Sequence, residues 1–366
     1  MEGVLKRVCF FNTSKAWGGG EQWVFENSRI ASRNGYVVHV VANEESVLGD
    51  RLEGLENIIV HRFPVTNLSF LNPLMMVRLM ILFIRNAINS VIISLPNDVK
   101  IGGMAARCVG VRNIIYRRGI AVPVRNSAFN RFLFKSIITR MVCNSSETRR
   151  LVLKENPELI DPSNVNIIYN GFDFDSYDER PSAPIYQRLG KEIVIGNVGR
   201  LTRQKGQHLV IEAVRILEER GHDVRLLLAG TGELETELKE YARSRGLGKT
   251  IFFLGFVKEM KGFYQSIDIL AHSALWEGFG YALVEAQATR KPVVAFDVSS
   301  NPEVIENGFT GVLATPEDVT DFADKIESLI LSPERRIELG NNGRKRVVAK
   351  FGSEHAFKKL AELIDS

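Results

Sequence analysis

A pattern that runs once and then restarts constrains this chain most. Short apolar, β-branched runs alternate with helix-length segments, the alternation stops in a polar stretch that carries prolines, and then it begins again. Seven strand-like runs fall at 4–12, 36–42, 57–63, 90–95, 112–116, 141–144 and 165–169, mostly with enough chain between them for a crossover helix. Strands joined by such crossovers pair in parallel and need helices on both faces. Residues 173–191 are polar, include Pro181 and Pro184 and show no periodicity, which suits a linker. Five further runs, at 192–198, 223–229, 250–254, 267–272 and 292–296, make a second set, and 318–331 and 333–364 are helical by composition with a break near Phe351-Gly352. The expected fold is α/β, with two doubly wound parallel-sheet domains facing a central cleft, because ligands of such sheets bind beyond the carboxyl ends of the strands. The expected boundaries are an N-terminal domain over 1–175, a linker over 176–191, a C-terminal domain over 192–348, and a helix over 349–366 that crosses back to the first domain.

At 366 residues the chain can hold two domains of ordinary size, and its 45% hydrophobic and 25% charged content is that of a soluble globular protein. The three cysteines, Cys9, Cys108 and Cys143, are odd in number and share no close spacing, which argues against a disulfide framework or a thiolate metal site and for a reducing cytoplasm. Residues 1–7 lack the apolar core of a signal peptide, and no run of about twenty apolar residues free of charge occurs. Charge is unevenly spread. Residues 1–180 hold 22 Lys and Arg against 17 Asp and Glu, a net of +5, and the remainder holds 25 against 26, a net of −1. Between Asn57 and Ser146 ten Arg and two Lys face one acid, Asp98, so the first half is expected to meet something anionic.

Within the second half, Glu277-Gly-Phe-Gly-Tyr-Ala-Leu-Val-Glu285 follows a strand-like run and leads into a helix without breakers. Gly278 and Gly280 allow the backbone N–H groups around Phe279 to approach a ligand, and the helix start favours an anion there. The two carboxylates are left for hydroxyl groups, such as a sugar offers. Gly199-Arg200-Leu-Thr-Arg-Gln-Lys205-Gly206 follows the first strand of the same half and also opens a helix. Arg200 binds phosphate oxygens through a planar fork and Lys205 as a point charge, so the pair forms a diphosphate clamp; the spacing is not that of the triphosphate P-loop. In the first half Trp17-Gly18-Gly19-Gly20-Glu21 is placed likewise between strand and helix. Gly230-Thr-Gly232 is read equally well as a plain tight turn, and His272 as a core histidine before a donor contact.

These motifs, with Asn170-Gly-Phe-Asp173, Pro292-Val-Val-Ala and Asn301-Pro-Glu303, stand in the order and approximate spacing of the landmarks of glycosyltransferase family 4, and the chain resembles that family over most of its length. The resemblance implies the GT-B fold of two Rossmann-like domains and a retaining transfer of a sugar from a nucleotide-diphosphate sugar to a hydroxyl acceptor. It implies that Arg200, Lys205, Gly18, Gly19 and Gly20 bind the donor diphosphate. Glu277, Gly278, Phe279, Gly280 and Glu285 are implied to hold the donor sugar and ribose, with Glu277 toward the sugar and Glu285 toward the ribose. The first domain is implied to take the acceptor and the second the donor. No cofactor or metal is expected besides the nucleotide-sugar co-substrate. Where many relatives place a histidine followed by glycine, this chain has Arg118-Gly119; Arg118 and Glu277 are the catalytic candidates, though an arginine cannot serve as a general base at neutral pH.

The expected role is in lipopolysaccharide, capsule or other cell-envelope glycan synthesis, with a glycan or lipid-linked glycan acceptor and no nucleic acid. Another GT-B activity, a nucleotide-sugar epimerase or a glycan phosphorylase, is the alternative. Residues 74–85 are apolar around most of a helix, with Arg78 and Arg85 on one face. They read either as a buried crossover helix or as a peripheral contact with an anionic membrane, which would put the protein at the inner face of the cytoplasmic membrane.

Overall fold

The apolar runs of the first half pair side by side into one wholly parallel sheet. Its strands are β1 (Arg7–Phe11), β2 (Val37–Ala42), β3 (Ile58–Arg62), β4 (Ser90–Ile93), β5 (Asn113–Arg118), β6 (Arg140–Cys143) and β7 (Val165–Ile167), in the order β3-β2-β1-β4-β5-β6-β7. Successive side chains of a strand point to opposite faces, and β1 shows the result: Cys9 and Phe11 enter a core with Leu79, Phe83 and Ile93, while Val8 and Phe10 enter another with Trp23 and Val24. The computed structural model describes residues 6–366. Residues 1–5, including Val4 and Leu5 of the first expected strand, lie outside the described residues.

The chain divides into a first unit, residues 6–171 with Ser353–Ser366, and a second, Phe172–Gly352. The second is built on β8 (Ile193–Val198), β9 (Val224–Ala229), β10 (Ile251–Gly255), β11 (Ile269–His272), β12 (Val293–Phe296) and β13 (Val312–Ala314), all parallel, in the order β10-β9-β8-β11-β12-β13. The three-residue β13 has no counterpart among the expected strands. In each sheet the strand order reverses once, between β1 and β4 and between β8 and β11. Loops leaving two such strands turn to opposite faces and leave a crevice at the sheet edge.

Residues read as linker belong to the second unit. Phe174–Glu179 is a helix whose first turn is capped by Asp173, which accepts from the Ser176 amide at 3.1 Å, and Phe174 and Tyr177 are buried. The following segment is tied by polar bonds: the Ile185 and Tyr186 amides donate to Ser266 Oγ at 2.8 and 3.1 Å, and Arg188 pairs with Asp268 at 2.8 Å. The helix Pro333–Phe351 ends the second unit, and after Gly352 the helix Ser353–Asp365 lays Phe357, Leu360, Leu363 and Ile364 into the core of the first. There Phe357 meets Tyr36 edge-on at 6.0 Å between ring centroids, and the Tyr36 hydroxyl donates to Asp365 at 2.9 Å.

Candidate active site

In the second unit the reversal between β8 and β11 brings together the loops that carry the expected clamp and the first acid. Lys205 lies in the short 3-10 turn Arg203–Lys205, and Gly206 follows with φ 59° as the residue before the helix Gln207–Glu219. A side chain there is excluded twice, because a left-handed backbone disfavours it and a Cβ would fall 2.3 Å from the carbonyl oxygen of Ser273. This contact seats the β8 loop on the β11 loop. Ser273 Oγ donates to the Lys205 carbonyl at 2.9 Å, and Asn197 Nδ2 donates to the Ala271 carbonyl at 2.7 Å, so both loops are held by buried polar groups.

On this seat the Lys205 ammonium pairs with Glu277 Oε1, and His272 Nε2 lies 3.5 Å from the same oxygen. His272 is 1% exposed, and Glu277 is buried. Burial alone would push the Glu277 carboxyl up, but Lys205 and His272 together outweigh it and hold the carboxyl down at about 2. Burial lowers His272 from its ordinary value against the pull of Glu277. Glu277 is therefore an anion at neutral pH. An ammonium has three donors and one is given to Glu277, which leaves two for phosphate oxygens. Arg200, at the mouth of the loop, is exposed, has no ion pair among the described residues, and its carbonyl accepts from Gln207 Nε2 at 3.0 Å.

Gly278 and Gly280 carry the chain from Glu277 into the helix Tyr281–Ala288, with φ 85° at Gly280. The Phe279 ring is 2% exposed and packs edge-on against Phe351 at 5.2 Å, so only its backbone is available to a ligand. Glu285 lies one turn into this helix and takes no part in the Lys205 cluster. Its Oε2 accepts from the Tyr264 hydroxyl at 2.8 Å. Burial raises its carboxyl to about 7, although Tyr264 and the charge of Arg180 pull it down. The two acids thus stand in opposite electrostatic states: Glu277 is fixed as an anion, and Glu285 titrates near neutrality. Gly230 and Gly232 serve packing, since Cβ atoms there would come within 2.0 Å of the Gly199 carbonyl oxygen and 2.3 Å of that of Leu201.

In the first unit Gly18, with φ −161° and ψ −169°, precedes the helix that begins at Gly19 and Gly20. A Cβ on Gly20 would lie 3.9 Å from Arg117 Nη1, and one on Gly119 only 2.4 Å from the same atom. Arg117 is buried, donates to Asn170 Oδ1 at 2.9 Å and lies 4.9 Å above the Trp23 ring. A positive charge is thereby built in beneath the glycine loop. Arg118, its neighbour on β5, points into a separate cavity of about 250 Å³ lined by Lys100, Tyr116, Arg125, Leu133 and Phe134 among others. Arg118 Nη1 donates to the Tyr116 hydroxyl at 3.3 Å and Nη2 to the Val122 carbonyl at 3.1 Å.

Two positions of this geometry are not site candidates in the sequence, and a third is read there as core before a donor contact. Tyr264, which donates to Glu285, carries no motif, since it lies in the mixed polar and apolar helix Met260–Ser266 where no pattern marks its hydroxyl as buried. Arg117 reads in the sequence as part of a basic surface with Arg118, Arg125, Arg131, Lys135 and Arg140, whereas the structure buries it. His272 was ranked as core, and it is core, yet its ring also touches Glu277. The helix Pro73–Arg85 turns Met75, Leu79, Leu82 and Phe83 inward and leaves Leu74, Val77, Ile81 and Ile84 exposed beside the exposed Arg78 and Arg85. No helix among the described residues is long and apolar enough to cross a membrane.

The unit that carries the lysine–carboxylate pair is also the part of the chain that resembles a known family. Residues 179–346, just under half of the chain, match the glycosyl transferases group 1. It is 31% identical over 204 residues to the capsular polysaccharide biosynthesis glycosyltransferase CapM of Staphylococcus aureus, covering 54% of this chain and 53% of that one. It is 26% identical over 286 residues to the UDP-Gal:alpha-D-GlcNAc-diphosphoundecaprenol alpha-1,3-galactosyltransferase of Escherichia coli, covering 72% and 71%. The chain spans about half the length of the first curated relatives it matches. Among solved structures, Anabaena HepE in complex with UDP and glucose superposes with a TM-score of 0.83 at 22% identity, covering 98% of this chain and 99% of that one. The fold is GT-B.

Proposed function

We propose that this protein transfers a sugar from a nucleotide-diphosphate donor, with retention of anomeric configuration, to a hydroxyl of a cell-envelope glycan. The observation that carries the reading is the Lys205–Glu277–His272 cluster at the β8/β11 switch point, with the exposed Arg200 on the same loop as Lys205. In the reaction the bond from the anomeric carbon to the diphosphate oxygen breaks, the acceptor oxygen bonds to that carbon, and the hydroxyl proton leaves with the diphosphate. Arg200 and the two remaining donors of Lys205 stabilise charge as it grows on the leaving group. Glu277, held as an anion, accepts from sugar hydroxyls, and Glu285 accepts from the ribose. The amides near Gly278, Phe279 and Gly280 supply donors at a helix start. Because Arg200 and Lys205 bring the positive charge, transfer is expected to persist in EDTA.

A screen of UDP-, GDP-, ADP- and CMP-linked sugars by thermal shift tests this reading, since a ligand that binds only the folded state raises the melting temperature. One nucleotide class should stand out, and the shift should disappear in Lys205→Ala. If no nucleotide sugar stabilises the protein, the reading fails.

The relatives that act on capsule and lipid-diphosphate-linked glycans support an envelope acceptor. The exposed face of Pro73–Arg85, with Leu68 and Leu71 also about two-thirds exposed nearby in sequence, supports peripheral docking on an anionic membrane. Apolar side chains enter the interface there, and each arginine near the surface adds about 1 kcal/mol. Flotation with anionic vesicles at low salt should carry the protein upward, and Leu74→Glu with Ile81→Glu should abolish it; equal flotation of the variant would discount this face.

A further inference from the structure

We propose that the cavity at the carboxyl ends of β4 and β5 binds a phosphate or carboxylate carried by the glycan acceptor, and that Arg118 is its anchor. The proposal rests on the reading of the protein as a glycosyltransferase whose first unit takes the acceptor. The cavity, about 250 Å³, is lined by three cations, Lys100, Arg118 and Arg125, and by no acid. None of the three has an ion pair among the described residues. The one acid in the basic stretch, Asp98, is turned away: it is fully buried and accepts from the Thr13 amide at 2.9 Å and from the Thr13 hydroxyl.

Arg118 is 9% exposed, and its contacts, the Tyr116 hydroxyl and the Val122 carbonyl, are neutral. Its buried Nε has no acceptor within the protein. A desolvated guanidinium with neutral partners and an unused donor is costly unless something anionic completes it. The cavity is the open side from which that group can come. A guanidinium presents its donors in a fixed fork that matches phosphate or carboxylate oxygens, and Lys100 and Arg125 add charge around it. The remaining wall is apolar, with Val99, Val124, Leu133 and Phe134, which lowers the local dielectric and suits the face of a sugar ring. At about eight water volumes the space admits a diphosphate or one acidic sugar, not an oligosaccharide.

The experiment measures binding by calorimetry in an Arg200→Ala, Lys205→Ala background, which removes the expected donor diphosphate clamp and leaves this cavity as the anion site. The probes are inorganic phosphate, pyrophosphate, glucuronate and, as the neutral control, glucose. Saturable binding of an anion but not of glucose is expected, weakened roughly tenfold to a hundredfold by Arg118→Gln or Lys100→Gln. Tighter pyrophosphate points to a phosphate-bearing acceptor, and tighter glucuronate to an acidic sugar. Thermal unfolding of the Arg200→Ala, Lys205→Ala background, with and without Arg118→Gln or Lys100→Gln, should retain the cooperative transition of the first unit, which shows that the cavity being titrated is folded. No anion binding, or anion binding indifferent to both substitutions, overturns the proposal while leaving the donor reading untouched. Loss of nucleotide binding by the unsubstituted protein would defeat the donor reading instead.

Discussion

Replacing Lys205 with alanine isolates the energetics of the site. Glu277 has a carboxyl held at about 2 against an ordinary 4.5, although burial pushes the other way. A depressed carboxylate contributes stability that is full above the unfolded value and is lost as pH falls through the folded one, here from 4.5 down to about 2. The displacement corresponds to about 3 kcal/mol at neutral pH. The coupling is direct, because the Lys205 and Glu277 side chains are only 19% and 10% exposed. In Lys205→Ala the carboxylate keeps its burial and loses its main counter-charge, so the expected loss at pH 7 is about 3–5 kcal/mol, as for other broken buried pairs. Urea unfolding of the second-unit transition, followed at pH 7 and at about pH 4, is the assay. The gap between variant and wild type should narrow on acidification, because protonation removes the uncompensated charge. Adding Glu277→Gln to the variant should recover part of the loss at pH 7 and almost nothing at the acidic end. An unchanged midpoint at pH 7, or a loss of equal size at both pH values, would refute the argument.

Glu285, raised by burial to about 7, should ionise across the physiological range; since ribose hydroxyls donate to a carboxylate, nucleotide-diphosphate affinity should rise between about pH 6 and 8 and stay flat in Glu285→Gln. The sign for stability is opposite to that of Glu277: the raised carboxyl costs stability above about 7, and the cost disappears as pH falls toward 4.5. Gly206→Ala should lose about 2–4 kcal/mol, from a left-handed backbone and a contact with the Ser273 carbonyl that must open; a denaturation midpoint equal to wild type would contradict the seat between the two loops. Phe357→Ala should cost the first unit about 3–5 kcal/mol and leave the transition of the second unchanged; differential hydrogen exchange resolves the two.

Most strands were legible because runs such as Val37–Ala42 and Val224–Ala229 are mostly apolar and bounded by breakers. Val312–Ala314 was not, because three residues carry no period and become a strand only by pairing with β12. The segment read as linker shows a different limit. Its order comes from Ser266, Asp268 and Asp173 bonding to backbone and side chains, and bonds of that kind leave no periodic trace. In the site, glycine spacing and paired acids identified Lys205 and Glu277, whose proximity needs only the two loops at one switch point. Tyr264 and the carboxylate contact of His272 leave no pattern in the sequence, because each depends on a carboxylate that the fold brings to it. The 74–85 segment was ambiguous for a physical reason: it is apolar on the buried and the exposed face alike.

The helix Ser353–Asp365 has a consequence for biosynthesis. It completes a core whose other members precede residue 172, so the first unit is assembled from segments on either side of the second. At about 5–20 residues per second, the 195 residues after Gly171 take on the order of 10–40 s to emerge. During that interval Trp23, Val24 and Tyr36 lack the cover of Phe357 and Leu360. The second unit is contiguous, so it can close while that apolar face still waits for its cover.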